Sequence, residues 1–462
     1  MISAAILSAV ILATVILFAV ILAIVILATV ILATVILSTP LFRSTHSLTR
    51  GYQEKLNRLP LHIPIAMSRV IIPRSPRSAG GRPGGDGPGR DMSGEVRPGG
   101  DKPDGDMPDG AWPGRDELLL QGTIIYGDDL QLLEGYISIR DGMIKEVDTG
   151  RVDADFEGII CPRFVNSHLH LGDSAFKDPP FQPLSQLVGP GGLKMHLLGS
   201  TPRDHLIEGM RRSLLQMMAS GTCAFADFRE GGEEGIRMLE EARRGIPLLM
   251  RIFGRPLPGD TVTPDGCYGL GMSSTRDHDP GAVQRMVGEA RRAGKAVAIH
   301  AGEASRDDIQ DALSLLPDHL VHMSRAEESD LKSVARAGIP LVICPRSNLI
   351  TGSGVPNVKK MMELGIVLGV GTDNVMLNSP NMFAEMHLIS RALLHDDRQV
   401  FKMCTLNGAE IMGLDQKLGS IREGKEAKVM VINGSSDNLW GSTHPLRSIV
   451  RRAEPTDILA IF

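Results

Sequence analysis

Two histidines, His168 and His170, flank a single leucine in Phe164-Val-Asn-Ser-His-Leu-His-Leu-Gly172. On a strand, residues two apart share a face, so both imidazoles would point the same way. Neutral imidazoles paired at a strand end are half of a metal site. A pair of satisfied polar histidines in a loop would have the same spacing, so this motif alone does not decide. The rest of the chain adds donors of the same kind. His300 and Glu303 lie in Val297-Ala-Ile-His-Ala-Gly-Glu303, His322 closes Leu320-Val-His322, and Asp373 ends Gly369-Val-Gly-Thr-Asp373. Three imidazoles and one carboxylate can hold a single Zn2+ or Fe2+ and leave one position for water. A metal held in this way lowers the pKa of its water towards about 7, so hydroxide is available at neutral pH.

These donors need a scaffold that gathers distant strand ends. Eight strand-like runs occur, at 159–170, 222–228, 247–253, 268–272, 296–300, 319–323, 340–344 and 366–371. Helical patterns alternate with them, at 202–219, 233–244, 280–293, 306–316, 327–337, 358–364 and 380–394. Alternating βα units with continuous apolar strands imply an α/β fold with a parallel sheet. Eight such units in about 250 residues fit a (β/α)8 TIM-like barrel, whose chemistry sits at the C-terminal strand ends. The candidate donors fall at those ends. The link 254–267 is short and rich in Pro and Gly, so no full helix is expected there.

Short β-like runs flank the barrel on both sides. Asp141-Gly142 between two alternating runs is a good hairpin signal. Neither flank alone has enough apolar surface for a core. Both ends of the folded region are therefore expected to build one small β-sandwich domain, from 117–158 and 418–462, around a barrel at 159–417.

Residues 1–42 carry no charge and from Val10 repeat every five residues as variants of Val-Ile-Leu-Ala-Thr. About 20 apolar residues span a bilayer, so this is a transmembrane candidate. Arg43, Arg50, Lys55 and Arg58 follow it and would keep the remainder on the cytoplasmic side. It lacks a basic leader and a clear cleavage site, which makes it a poor secretory signal. Packing does not repeat every five residues. The preferred reading is a DNA repeat translated upstream of the true start, with Met67, Met92 and Met107 as later starts. Between Ala79 and Arg115, 18 of 37 residues are Gly or Pro, so 43–116 is expected to be a disordered linker.

The net charge of -5 gives no sign of a nucleic-acid surface. Five cysteines at 161, 223, 267, 344 and 404 form no Cys-x-x-Cys pair, so neither a zinc ribbon nor a disulfide framework is indicated. Reduced thiols in a cytoplasmic protein are expected.

As a set, these motifs resemble the amidohydrolase superfamily, within it the mononuclear deaminase and chlorohydrolase-like branch of cytosine, guanine and S-adenosylhomocysteine deaminases. The resemblance runs from about Leu118 to Phe462. The family's Pro-Gly-Phe-Val-Asn-x-His-x-His appears as Pro162-Arg-Phe-Val-Asn-Ser-His-Leu-His170, with Arg163 in place of the glycine. Cys344-Pro-Arg-Ser-Asn348, Gly371-Thr-Asp373 and Asn378-Ser-Pro-Asn-Met-Phe-Ala-Glu-Met386 match further family segments. The resemblance implies that His168, His170, His300 and Asp373 bind one divalent metal, Zn2+ first and Fe2+ second. It also implies that Glu303 shuttles a proton, that His322 hydrogen-bonds the attacking hydroxide or the oxyanion, and that Asp373 accepts a proton from water. His319 competes with His322, on the opposite face by alternation; His322 is preferred because it sits at the strand end. Binuclear relatives bridge two metals with a carboxylated lysine on a middle strand. This chain has no lysine between Lys194 and Lys295, which argues against a second metal.

Substrate choice usually rests with loops at this face. Lys194 and His196, in the loop after the first strand, are substrate-binding candidates, as are Arg229 and Arg255 after the second and third. An arginine facing the mouth binds a carboxylate or phosphate bidentately, and it can equally pair with Glu230 as structure. The expected function is hydrolysis of a non-peptide C–N bond, foremost deamination of a purine, pyrimidine or pterin. A cyclic amide hydrolase, a chlorohydrolase and a catalytically silent ligand-binding barrel are the alternatives. The expected partner is a small-molecule substrate. Exposed barrel helices often pair, so a homo-oligomer is compatible, and a membrane enters only if 1–42 is real and inserted.

Overall fold

The computed structural model describes residues 117–256 and 263–462. The apolar repeat, the Gly/Pro-rich linker and part of the 254–267 link lie outside the described residues. Two sheets organise the rest. The smaller has six strands: β1 (Leu118–Tyr126), β2 (Gln131–Arg140), β3 (Met143–Thr149), β4 (Phe156–Pro162), β14 (Val429–Ile432) and β15 (Ile458–Ile461), in the order β15-β14-β4-β1-β2-β3. The two flanks thus share one sheet, with β14 pairing antiparallel to β4. Asp141 and Gly142 join β2 to β3 with φ of 52° and 68°, the left-handed pair that a two-residue hairpin requires. Leu120, Ile124, Ile137, Ile160, Val429 and Val431 form its apolar core.

The larger sheet is parallel and comprises β5 (Phe164–His170), β6 (Thr222–Arg229), β7 (Leu249–Gly254), β8 (Gly269–Met272), β9 (Ala296–Ala301), β10 (His319–His322), β11 (Leu341–Ile343), β12 (Leu368–Val370) and β13 (Asp373–Asn374). β12 pairs with β11 and β13 with β5, so the ring closes as a TIM-like barrel. β12 and β13 are one eighth strand interrupted at Gly371-Thr372. At Gly371 a Cβ would lie 2.6 Å from the Cβ of His168, so only glycine lets the two strands approach there. Asn166 seals the same seam: its Nδ2 donates to Thr372 Oγ1 (2.8 Å) and its Oδ1 accepts from the Thr372 amide (3.1 Å).

The run 159–170, expected as one strand, is two. The chain leaves the small sheet at Pro162 and enters the barrel at Phe164. Arg163 between them is buried and donates to the carbonyls of Phe462 and Thr222. Its departure from the family's glycine thus fills the junction of barrel, small sheet and C-terminus.

Helices cover the barrel through apolar faces at helical spacing. Helix Pro280–Arg292 buries Val283, Met286, Val287 and Ala290; Asp279 caps it by accepting from the Ala282 amide. Helix Glu328–Ala337 starts with a reciprocal Glu327–Asp330 capping box and ends at Gly338, φ 65°. Inside the barrel, Val165, Ala224, Ala226, Ala298, Val321 and Val342 pack under Phe228 and Phe253. All five cysteines are buried free thiols. Among the described residues no helix is long and apolar enough to cross a membrane.

Candidate metal centre and active site

β5 carries His168 and His170 into the barrel. Its pairing with β6 shifts register between Asn166 and Leu169. A bulge of this kind re-aims side chains. Val165 therefore packs inside the barrel, whereas Leu169 packs outwards against the helix Arg203–Ala219. The two imidazoles face the interior, with ring centroids 5.0 Å apart. His300, at the end of β9, lies 4.8 Å from His168 and 5.7 Å from His170. Asp373 brings Oδ1 to 3.3 Å from His168 Nε2 and 3.5 Å from His170 Nε2.

Apart from His168, these groups are held from behind, and so is His322. His170 Nδ1 is 2.8 Å from Glu230 Oε1 and 3.1 Å from the Phe228 carbonyl, which fixes its proton there and leaves Nε2 open. His300 Nδ1 donates to the Met272 carbonyl at 2.6 Å. His322 Nδ1 is 3.0 Å from Asn348 Oδ1, and its Nε2 is 3.5 Å from Glu303 Oε2. Ser347 donates to Asp373 Oδ2 at 2.5 Å and Asn374 donates to Oδ1 at 3.0 Å. His322 and Asp373 have φ of 75° and 59°, a conformation costing non-glycine residues roughly 1–3 kcal/mol each. Such strain gathers at functional sites. At His322 it turns towards the site a side chain that regular alternation would send outwards.

Burial sets the protonation states. It pushes the His168 imidazole down to about 3, against the opposing pull of Asp373. Burial also lowers His170 and holds His300 well below the ordinary histidine value. For Asp373 burial acts upwards, but the close imidazole of His168 and the charges of His322 and His170 prevail and hold the carboxylate well below its usual range. Glu303 moves the other way: burial raises its carboxyl, and His322 only partly offsets this.

Neutral imidazoles beside an ionised carboxylate are what a divalent cation takes as ligands. The fit has a direct sign. His168 Nδ1 is buried without any partner and its Nε2 faces only Asp373 Oδ1, 3.3 Å away and without good hydrogen-bond geometry, an arrangement that costs free energy unless something binds there. The donor atoms of His168, His170 and Asp373 lie within 4.8 Å of one another, as do those of His168, His300 and His322, and those of Glu303, His322 and Asp373.

The candidate substrate-binding residues divide. Lys194 is buried, its ammonium 2.7 Å from Glu230 Oε1. Arg229 is buried against Asp227 and Glu230, the structural pairing weighed above. Arg255, a quarter exposed, lies 3.4 Å from Glu230 Oε1. Three of the four thus gather around Glu230 behind His170. His196 is on the exposed side of the helix Leu193–Ser200, outside this cluster. Of the supporting residues, Asn166, Ser347 and Asn348 lie within the family motifs and Asn374 follows one, but no role could be assigned to them from the sequence. Another, Asp308, accepts from Ser274 and from the Gly302 amide and so steadies the turn that carries Glu303.

His319 does not join the site. It sits at the other end of β10, buried and unpartnered, against Phe253 (5.2 Å). There it borders a cavity of about 330 Å3 with Tyr268, Pro340 and Glu410.

The profile of the Amidohydrolase family matches residues 159–460. A protein of Methanothermobacter thermautotrophicus, provisionally named an aminohydrolase, is 33% identical over 379 residues, covering 73% of this chain and 95% of that one. A 5-methylthioadenosine/S-adenosylhomocysteine deaminase of Thermococcus sibiricus is 25% identical over 396 residues, covering 74% and 91%. Among solved structures, the zinc complex of atrazine chlorohydrolase from Arthrobacter aurescens aligns with a TM-score of 0.62 at 18% identity, covering 74% and 95%. A zinc-bound adenosine deaminase from Xanthomonas campestris aligns with a TM-score of 0.59 at 16% identity, covering 75% and 91%. The fold is therefore that of a metal-dependent hydrolase barrel. The chain belongs to the amidohydrolase family and is a hydrolase of carbon–nitrogen bonds other than peptide bonds.

Proposed function

We propose that the protein is an aminohydrolase that releases ammonia from an amino-substituted heterocycle such as a purine, pyrimidine or pterin. His168, His170, His300 and Asp373 would hold one divalent metal, Zn2+ before Fe2+. The observation that carries this reading is the placing of Glu303, with its raised carboxyl, beside His322 and Asp373 at the edge of the imidazole cluster. The aminohydrolase and deaminase names of the relatives support it.

A metal held there supplies a Lewis acid and an acidified water. The chain's own residues do the rest. His322, with its Nδ1 proton committed to Asn348, offers Nε2 to orient the attacking water. Glu303 takes a proton from that water as the new C–O bond forms at the amidine-like carbon. It then delivers the proton to the exocyclic nitrogen, so the C–N bond breaks and neutral ammonia leaves. A carboxyl raised above its ordinary range suits both steps, because it holds a proton more readily than an exposed one does. Asp373, kept anionic by its histidine neighbours, balances the charge that develops.

The test is ammonia release by the full chain, loaded separately with Zn2+ or Fe2+ and with bound metal quantified, across aminated purines, nucleosides, pyrimidines and pterins. Turnover requiring one metal per chain is expected. One bound metal with no ammonia from any member would reject the aminohydrolase in favour of a cyclic amide or halide substrate.

A further inference from the structure

Lys194 occupies an unusual place for a residue of a substrate-facing loop. Its side chain is 2% exposed, and its ammonium lies 2.7 Å from Glu230 Oε1, 2.9 Å from Asn374 Oδ1 and 3.6 Å from Asp173 Oδ2. An ammonium has three donors. One hydrogen bond, to Asn374, and two ion pairs, to Glu230 and Asp173, surround the ammonium. Glu230 and Asn374 each lead on to a different candidate ligand. Glu230 Oε1 takes His170 Nδ1 at 2.8 Å, and Asn374 Nδ2 donates to Asp373 Oδ1 at 3.0 Å. Asp173 Oδ1 meanwhile accepts from the Met376 amide, tying the loop after β5 to the loop after β13.

We propose that Lys194 is a positioning residue of the metal centre: one ammonium links the carboxylate behind His170 to the amide beside Asp373, so that two ligands from opposite sides of the barrel seam are oriented together. This rests on the reading of His168, His170, His300 and Asp373 as ligands.

Without the ammonium, Glu230 keeps Arg229 and Arg255, at 3.3 and 3.4 Å, but loses its shortest cationic contact. Asn374 loses the bond that sets which face of its amide meets Asp373. The helix Leu193–Ser200 that carries Lys194 is otherwise mostly exposed, so the effect falls on the metal centre more than on the core. Groups that orient metal ligands in this way typically alter metal affinity about 10–100-fold.

The test uses the full chain, stripped of metal and titrated with Zn2+ against a chromophoric chelator. Lys194→Met and Glu230→Gln are each expected to weaken Zn2+ binding about 10–100-fold. The double variant is expected to bind no more weakly than the worse single variant, because both break one link. Thermal unfolding of the metal-free protein should move much less than that of the Zn2+-loaded protein. Zn2+ affinity of Lys194→Met within about twofold of wild type, or losses that multiply in the double variant, would overturn the proposal. So would equal destabilisation of the metal-free and loaded forms. If Lys194→Met fails to fold, Lys194→Gln, which keeps a donor, is read by the same criteria. Wild-type protein that takes up no Zn2+ would overturn the ligand assignment itself, a separate result from an unaffected Lys194 variant.

Discussion

The two ends of the barrel hold histidines from the same strand in opposite circumstances. At the N-terminal end His319 lies under Phe253 and Phe228, with neither nitrogen partnered and burial alone pushing its pKa down to about 4. At the C-terminal end His322 has Asn348 on one nitrogen and Glu303 facing the other. Both are buried. Burial by itself gives an imidazole nothing to do; chemistry needs a partner that fixes the tautomer and a reacting group that faces the free nitrogen. Phe228 marks the divide, 4.3 Å from the ring of His168 and 6.3 Å from that of His319.

Substitution should expose this asymmetry. The largest effect is expected at Glu303. Glu303→Gln keeps shape and hydrogen bonding but cannot carry a proton, and turnover should fall about 10²–10⁴-fold with bound metal unchanged. Turnover near wild type, measured alongside metal content, would remove Glu303 from the proton path. Next comes the paired comparison within β10. His322→Ala should lower kcat about 10²-fold or more. His319→Phe, which keeps a flat ring against Phe253, should leave kcat within a few-fold. Equal losses at the two positions would mean that the cavity end takes part in the reaction.

The pH dependence of stability separates the ends as well. His319 has a folded pKa of about 4 against an ordinary value of 6.5. The unfolded chain therefore binds this proton more readily than the folded one. The contribution is fully present above pH 6.5 and is lost as pH falls towards 4, amounting to roughly 3 kcal/mol. Denaturant unfolding from pH 7 to pH 4 should show His319→Phe losing less stability than wild type over that window. Parallel curves for the two proteins would show that His319 takes up its proton without opposition from the fold.

Much of this arrangement is legible in the residues. His168, His170, His300, His322 and Asp373 each close an apolar run, and a barrel gathers strand ends, so their convergence follows from periodicity and topology. What alternation does not convey is where strands depart from regularity. The register shift in β5, the break at Gly371-Thr372 and the positive φ of His322 and Asp373 are set by close packing between strands far apart in sequence. Arg229 illustrates another limit. Composition places a cation near the mouth, but whether it faces substrate or Glu230 depends on the path of a loop. Ser347, Asn348 and Asn374 lie within or beside the family motifs, yet their roles emerge only when the helix Pro345–Thr351 meets the ends of β10 and β13.

The smallest expected effect concerns the seam. Asn166 makes two buried hydrogen bonds to Thr372, one residue before Asp373. Asn166→Ala leaves the Thr372 amide and hydroxyl short of partners, which costs roughly 1–3 kcal/mol. That is comparable with an ordinary core substitution, so stability alone is a blunt readout. The comparison between the barrel ends makes it sharper. Thr372 adjoins Asp373 in the chain, so loosening the seam should displace Asp373 and weaken Zn2+ binding. The acid-sensitive stability contributed by His319, across the barrel, should stay as it is. Zn2+ titration and pH-dependent unfolding of the same variant report the two ends independently. A weakened metal site with an intact His319 window would show that the ends respond separately. Movement of both would show that the closed ring transmits strain through its full height.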